Sequence, residues 1–337
     1  MKLKVLITGA QGQLAQALLR TRPAYWAVTA LGSAQLDISD AAAVRRQVAE
    51  LHPALILNAA AYNAVDQAEQ DRDRAFAVNA HGPLNLARAA NDVGARLVHV
   101  STDYVFDGKA GSPYDEQAAT HPLNAYGESK LQGEQWVLQE QPEALVVRTA
   151  WVYSAAANNF VAAMLRTAQH GRPLRVVDDQ TGAPTFAGDL AQAIVTLVAH
   201  PHAAGGVHHY TGATGLTRYD FARAIFKVAD RIQASEQPVP IPGRDGADRH
   251  PDHAMGHEPF SFSDILSAGS RAEGDEDACR LRLLSRIASS EYPSAAVRPA
   301  YSVLDCKKIA RLGIEPRPLM ESLPGVISEL LSGHLSR

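Results

Sequence analysis

Apolar residues along the chain fall into short runs of four to eight, each followed by a stretch in which they recur every three or four positions. Residues 3–8 form the first run. A glycine-bearing turn follows it, then Leu14, Ala17 and Leu18 at helical spacing, so the opening reads as strand, tight turn, helix. The unit recurs. AVTAL is a second strand, SDAAAVRRQVAEL a helix with Ser39 as candidate N-cap, and ALILNAAA a third strand ending in small residues. A long helix through RAFAVNAHGPLNLARAANDV leads to a strand at 96–101, a helix over about 125–139 and a strand ALVVRTAWVY. Near-continuous apolar runs alternating with helices predict an α/β fold. The expected architecture is a doubly wound parallel sheet of Rossmann type, covered on both faces, with right-handed crossovers.

Beyond Trp151 the regularity fades. Helices at 160–169 and 219–232 alternate with loops bearing Pro and Gly, such as DDQTGAPTF. The expected organisation is a dinucleotide-binding domain over 1–150 and a smaller, mainly substrate-binding α/β lobe over 151–337, with part of the later chain returning to the first domain. Residues 243–278 shift to Gly, Asp, His, Pro and Ser without periodicity and read as a flexible insertion. His250, His253 and His257 lie there with Asp248 and Asp252, but a segment with no sign of rigid structure is not a metal site, and no metal is assigned.

With 337 residues and 46% hydrophobic content, the chain is long enough for a large core. A net charge of −4 with scattered Lys and Arg offers no basic face for nucleic acid. The first apolar run is too short for a signal peptide, and no stretch reaches the length that spans a bilayer, so no membrane partner is expected. Cys279 and Cys306 are two isolated cysteines without CxxC spacing, which suits a reducing cytoplasm.

Two constellations carry chemistry. Gly9, Gln11, Gly12, Gln13 and Leu14 lie between the first strand and its helix, where backbone N–H groups hold a pyrophosphate in dinucleotide-binding folds. Gly9 permits the tight turn and Gly12 a close backbone approach. The second strand ends in Leu31-Gly32-Ser33, without the acidic residue that favours NAD, so NADP(H) is favoured and NAD(H) remains possible. The second constellation is Tyr126-Gly-Glu-Ser-Lys130. Four residues apart on a helix, Tyr126 and Lys130 share a face, and an ammonium beside a phenol is expected to lower its pKa and fit it for proton transfer. Thr102, at the end of the preceding strand, stands where open parallel sheets hold ligands and can orient a carbonyl oxygen beside Tyr126.

These residues resemble the extended short-chain dehydrogenase/reductase superfamily. NAAAYNAVDQAE, STDYVFDG, YGESKLQGE, RTAWVY, NNFV, DDQTGAPT and RPAYSVLDCKKI together resemble the dTDP-4-dehydrorhamnose reductase family over nearly the whole chain apart from the insertion. The resemblance implies hydride transfer from a reduced nicotinamide to the 4-keto carbon of dTDP-4-dehydro-β-L-rhamnose, with Thr102, Tyr126 and Lys130 as the catalytic trio. It further implies cofactor contacts at Asp37, Ile38, Asn58, Ala59, Ala60, Ala61, Tyr126 and Lys130, the last on the ribose, and substrate contacts at Thr102, Tyr104 and Trp151. Asp103 has three open roles: capping the loop, contacting substrate, or serving a dehydratase. Some members bridge two subunits with Mg²⁺ through glutamates, one of them on the first helix. Here that stretch is Ala15-Gln16-Ala17, so Mg²⁺ is not expected, and monomer and homodimer remain equally open. Rival functions on the same fold are another nucleotide-sugar reductase, an epimerase, a dehydratase, or a non-catalytic NADP-binding regulatory subunit.

Overall fold

The computed structural model describes residues 2–156, 158–236 and 280–333. The insertion at 243–278, with its histidines, and Cys279 lie outside the described residues. The strands are β1 (Leu3–Thr8), β2 (Trp26–Leu31), β3 (Leu55–Asn58), β4 (Arg96–Thr102), β5 (Leu145–Thr149), β6 (Val152–Tyr153), β7 (Leu174–Val177), β8 (Thr181–Gly182), β9 (Thr185–Phe186), β10 (Gly206–His209), β11 (Leu216–Thr217) and β12 (Leu284–Ile287). The helices are α1 (Gln13–Thr21), α2 (Ala41–Leu51), α3 (Val65–Ala68), α4 (Arg72–Phe76), α5 (Gly82–Val93), α6 (Ala125–Glu140), α7 (Phe160–Gln169), α8 (Ala187–Ala199), α9 (Arg218–Glu236), α10 (Lys307–Ala310) and α11 (Leu319–Gly333).

Six strands form one sheet in the order β10-β5-β4-β3-β1-β2, and every neighbouring pair is parallel. The chain steps outward from β1 to β2, then crosses back to β3 on the other side. Ligands of open parallel sheets bind at such a reversal, outside the carboxyl ends of the strands. Here those ends are the turn after β1 and the small residues after β3.

Strand side chains alternate between faces, and both faces are buried. Val5, Ile7, Leu57, Val98 and Val147 pack with Leu14 and Leu18 of α1 and Leu190, Ile194 and Leu197 of α8. Leu6, Ile56, Leu97 and Val146 point the other way, onto Val44 and Val48 of α2, Leu86 and Ala90 of α5 and Val137 of α6. A separate apolar core joins Tyr153 to α7, α9 and α11 through Leu165, Phe221, Phe226, Leu323 and Ile327. Among the described residues no helix is long and apolar enough to cross a membrane.

Three local expectations are corrected. Asp40, not Ser39, caps α2, accepting from the Ala43 amide at 3.0 Å. Ser39 is engaged by Asp37, which accepts from both its amide (3.0 Å) and its hydroxyl (2.6 Å). The single long helix expected over 74–93 is α4, a π-helical turn at Ala77–His81, then α5. Its extra residue places Asn79 where the side chain accepts from the Tyr62 amide and donates to the Ser129 hydroxyl. The strand expected over 144–153 breaks after Thr149. Trp151 takes a left-handed conformation (φ 46°) that no extended strand accommodates, and the chain turns there to pair β6 with β9.

Candidate active site

A cleft of about 290 Å³ opens at the reversal point. Its walls include Gly12, Gln13, Leu14, Ala59, Ala60, Ala61, Thr102, Asp103, Tyr126, Lys130 and Trp151, so residues spread over 140 positions of sequence meet in one place. The sheet explains the meeting: each comes from the carboxyl end of a strand or the start of the helix that follows.

The first wall suits a dinucleotide. Gly9 has φ 71°, and a Cβ on it would lie 2.8 Å from the Ala59 carbonyl oxygen and the Ala60 backbone, so only glycine lets the turn after β1 approach the end of β3. Gly12 is the N-cap of α1 and supplies no side chain to cap it, leaving the first helical amides for an anion. The short side chains of Ala59, Ala60 and Ala61 keep the adjoining strand end open.

Several other predicted cofactor residues lie outside the cleft lining. Gln11 lies over Gly32 at the end of β2. Asn58 is buried in the sheet, where its side chain accepts from the Thr8 hydroxyl (2.7 Å) and the Ala60 amide (3.2 Å) and meets His99 Nδ1 at 3.0 Å. Ile38 is a buried core residue. Asp37, held below the ordinary carboxylate range by the Ser39 hydroxyl and amide, pairs with Arg74 at 3.4 Å.

The second wall is built on α6. Asn124 starts the helix by accepting from the Gly127 amide at 2.8 Å, and Glu69 accepts from the Ala125 amide at 2.7 Å. Tyr126, Lys130 and Glu134 then follow at four-residue spacing along one face. Glu134, which ends the YGESKLQGE motif but had no role there, forms a bidentate pair with buried Arg148 of β5 at 2.7 to 3.1 Å and so clamps the helix against the sheet. Its signal was a third member of the stripe carrying a charge.

The expected effect of Lys130 on Tyr126 is corrected. Lys130 Nζ donates to the Val100 carbonyl at 2.6 Å, and burial lowers its pKa from 10.5 to about 8. Burial also raises the Tyr126 phenol above its ordinary value, while the nearby Thr102 hydroxyl draws it partly back. Desolvation penalises the phenolate, and the Lys130 ammonium is turned away to the Val100 carbonyl. Tyr126 is therefore firmly protonated, which suits a proton donor.

Thr102 and Asp103 end β4. The Thr102 hydroxyl donates to Asp103 Oδ1 at 3.0 Å and accepts from the Tyr104 amide at 3.2 Å. Asp103 Oδ2 accepts from the Ser302 hydroxyl at 2.5 Å, and burial pushes the carboxyl up to about 6. Asp103 thus fastens the end of β4 to a segment 199 residues away. Tyr104 stands edge-on to Tyr126 (centroids 5.7 Å apart, planes at 81°), and its buried hydroxyl is held by Arg218, so it backs the Tyr126 ring rather than lining the cleft.

Trp151 closes the far side. The Arg218 guanidinium carbon sits 3.6 Å from its ring centroid, a cation–π stack, and Gly182 leaves room on the indole: a Cβ there would come within 2.5 Å of the ring. Asn63, Val100, Ser101, Thr149, Ala150, Val152 and Leu190 complete the lining and were not foreseen. Among the described residues no group of three or more His, Cys, Asp or Glu is placed to hold a metal ion.

A parallel sheet with a glycine turn at its reversal and a Tyr–Lys helix beside its strand ends is the plan of the extended short-chain dehydrogenases and reductases, the class to which this molecule conforms. The comparisons narrow that class. The family model described as RmlD substrate binding domain matches residues 2–257, and the chain belongs to that family. It is 34% identical over 330 residues to a dTDP-4-dehydrorhamnose reductase of Aggregatibacter actinomycetemcomitans, covering 96% of this chain and 98% of that one. It is 48% identical over 247 residues to a dTDP-4-dehydrorhamnose reductase of Mycobacterium tuberculosis, covering 70% and 79%. The crystal structure of a dTDP-4-dehydrorhamnose reductase of Bacillus anthracis in complex with NADP superposes with a TM-score of 0.78 at 31% identity, covering 98% of this chain and all of that one.

Proposed function

We propose that this protein reduces the 4-keto group of dTDP-4-dehydro-β-L-rhamnose to dTDP-β-L-rhamnose with NADPH, in dTDP-rhamnose biosynthesis. The observation that carries the reading is that Tyr126 and Lys130 stand with Thr102 in the same cleft as the glycine turn. The shared family and the substrate in its relatives' names support the sugar nucleotide. NADP in the Bacillus anthracis complex and the lack of an acidic residue after β2 support NADPH over NADH. A cytoplasmic setting is part of the same proposal.

The turn after β1, the α1 amides and Ala59 to Ala61 would hold the dinucleotide, which when bound supplies the hydride. The chain's own residues manage the oxygen. Tyr126 donates its proton to the oxygen of the reduced carbon, and the Thr102 hydroxyl, turning its one proton from Asp103 Oδ1, donates to that oxygen beside the phenol. Lys130, a buried cation on the same helix face, favours the transient phenolate by its charge. Trp151 with Arg218 behind it forms an apolar plate for the sugar ring and keeps water from the strand ends.

Positioned proton donation is worth on the order of 10² to 10⁴ in rate. Tyr126→Phe keeps the ring's packing on Tyr104 and is expected to slow single-turnover NADPH oxidation by that factor while NADPH binding stays near wild type. Unchanged turnover removes Tyr126 as the proton donor. A dehydratase would need a free acid beside Thr102, whereas Asp103 is already engaged by Thr102 and Ser302.

A further inference from the structure

Gln13 is the first residue of α1, directly after the glycine turn. Its carboxamide reaches across to the chain that follows Trp151. Nε2 donates to the Val152 carbonyl at 3.3 Å, and Oε1 accepts from the Ser154 hydroxyl at 3.0 Å and from Asn159 Nδ2 at 2.9 Å. Asn159 in turn caps α7 by accepting from the Ala162 amide at 3.2 Å and donates to the Ser154 carbonyl at 2.6 Å. One side chain thereby joins the helix start at the dinucleotide turn to the segment that carries the sugar-facing Trp151. That segment leaves the sheet through a left-handed residue and pairs with β9 by only two residues, so its placement depends on side-chain ties.

We propose that Gln13 is a positioning residue that couples the two halves of the cleft: fixing the turn after β1 fixes Gln13, and through it the 151–154 segment against which the sugar nucleotide packs. The inference rests on the reductase reading above. The carboxamide donor and its acceptor oxygen are all satisfied only when turn and segment keep this spacing. A ligand that orders the turn therefore spares the second ligand part of the cost of ordering the segment. Coupling of this kind is reciprocal, so each ligand tightens the other by the same factor.

The test uses NADPH and dTDP-β-L-rhamnose, a pair that forms a complex without turnover. NADPH is titrated by its fluorescence into the full-length protein, with and without saturating dTDP-β-L-rhamnose. The wild type is expected to bind NADPH at least about 5-fold more tightly when the sugar nucleotide is present. In Gln13→Met, which keeps the length but not the polar atoms, the factor is expected to fall to near one. Ser154→Ala, which removes one arm and leaves Gln13 in place, is expected to reduce the factor partly and non-additively with Gln13→Met, and it carries the test should the first variant fold poorly. A wild type that binds both ligands without coupling, or variants that weaken both ligands while the factor stays at its wild-type value, overturns the proposal and leaves the reductase reading standing. Absence of NADPH binding to the wild type overturns both.

Discussion

Asp103→Asn isolates the cost of holding a carboxylate at the end of β4. Asp103 is 2% exposed, accepts from Ser302 and Thr102, and is pushed from 3.8 up to about 6 by burial even though the Arg218 guanidinium opposes the rise. The folded chain therefore binds this proton more tightly than the unfolded chain. The stability linked to it is fully present below about 3.8 and is lost as pH rises through about 6. The distance between those two values corresponds to about 3 kcal/mol at neutral pH. Asparagine has the same shape, accepts from Ser302 on Oδ1 and donates from Nδ2 to the Thr102 oxygen, so it removes the charge while keeping both contacts, and only the Thr102 hydroxyl proton must turn elsewhere. Urea unfolding at pH 7.5 is expected to show the variant more stable than wild type by on the order of 1 to 3 kcal/mol, with the gap shrinking by about half at pH 5. A variant less stable at pH 7.5, or a gap that does not change with pH, refutes the reasoning.

Further outcomes follow from the same geometry. Glu134→Ala leaves Arg148 as an uncompensated buried charge and is expected to cost about 3 to 5 kcal/mol in urea unfolding, much of it recovered in the Glu134→Met, Arg148→Met double variant. Gly9→Ala pushes the turn off β3, since its Cβ lies 2.8 Å from the Ala59 carbonyl oxygen, and equilibrium titration should show NADPH affinity falling by at least tenfold. Gly182→Ala displaces the Trp151 indole, so steady-state kinetics should show KM for the sugar nucleotide rising several-fold while the Kd for NADPH stays close to wild type. Lys130, lowered to about 8 in the ligand-free chain, loses its charge as pH rises through that value, so kcat/KM is expected to fall above about pH 8 and the limb to be missing from Lys130→Met.

The sheet was legible because β1, β3, β4 and β5 are mostly buried and read as near-continuous apolar runs, and the glycine turn and the Tyr–Lys spacing were local patterns. What escaped the sequence were contacts between distant segments. Ser39 and Asp40 are equally good caps on paper, and only the capture of Ser39 by Asp37 decides between them. The left-handed backbone at Trp151 has no glycine or asparagine to announce it. The pKa of Tyr126 could not be read from its spacing to Lys130, because burial raises it and the ammonium is turned to the Val100 carbonyl. Asp103 had three readings in the sequence; its bond to Ser302, 199 positions away, gives it a fourth, the fastening of the strand that presents Thr102.

The central claim, that this cleft delivers a hydride and a proton to a 4-keto sugar nucleotide, is tested most directly by stoichiometry. Purified protein mixed with NADPH and freshly prepared dTDP-4-dehydro-β-L-rhamnose should consume one NADPH for each dTDP-β-L-rhamnose formed, with NADH a poorer donor. Conversion of the sugar nucleotide without net NADPH consumption, as an epimerase or dehydratase with a retained nicotinamide would produce, contradicts the account, and so does the absence of any reaction in protein that binds both ligands.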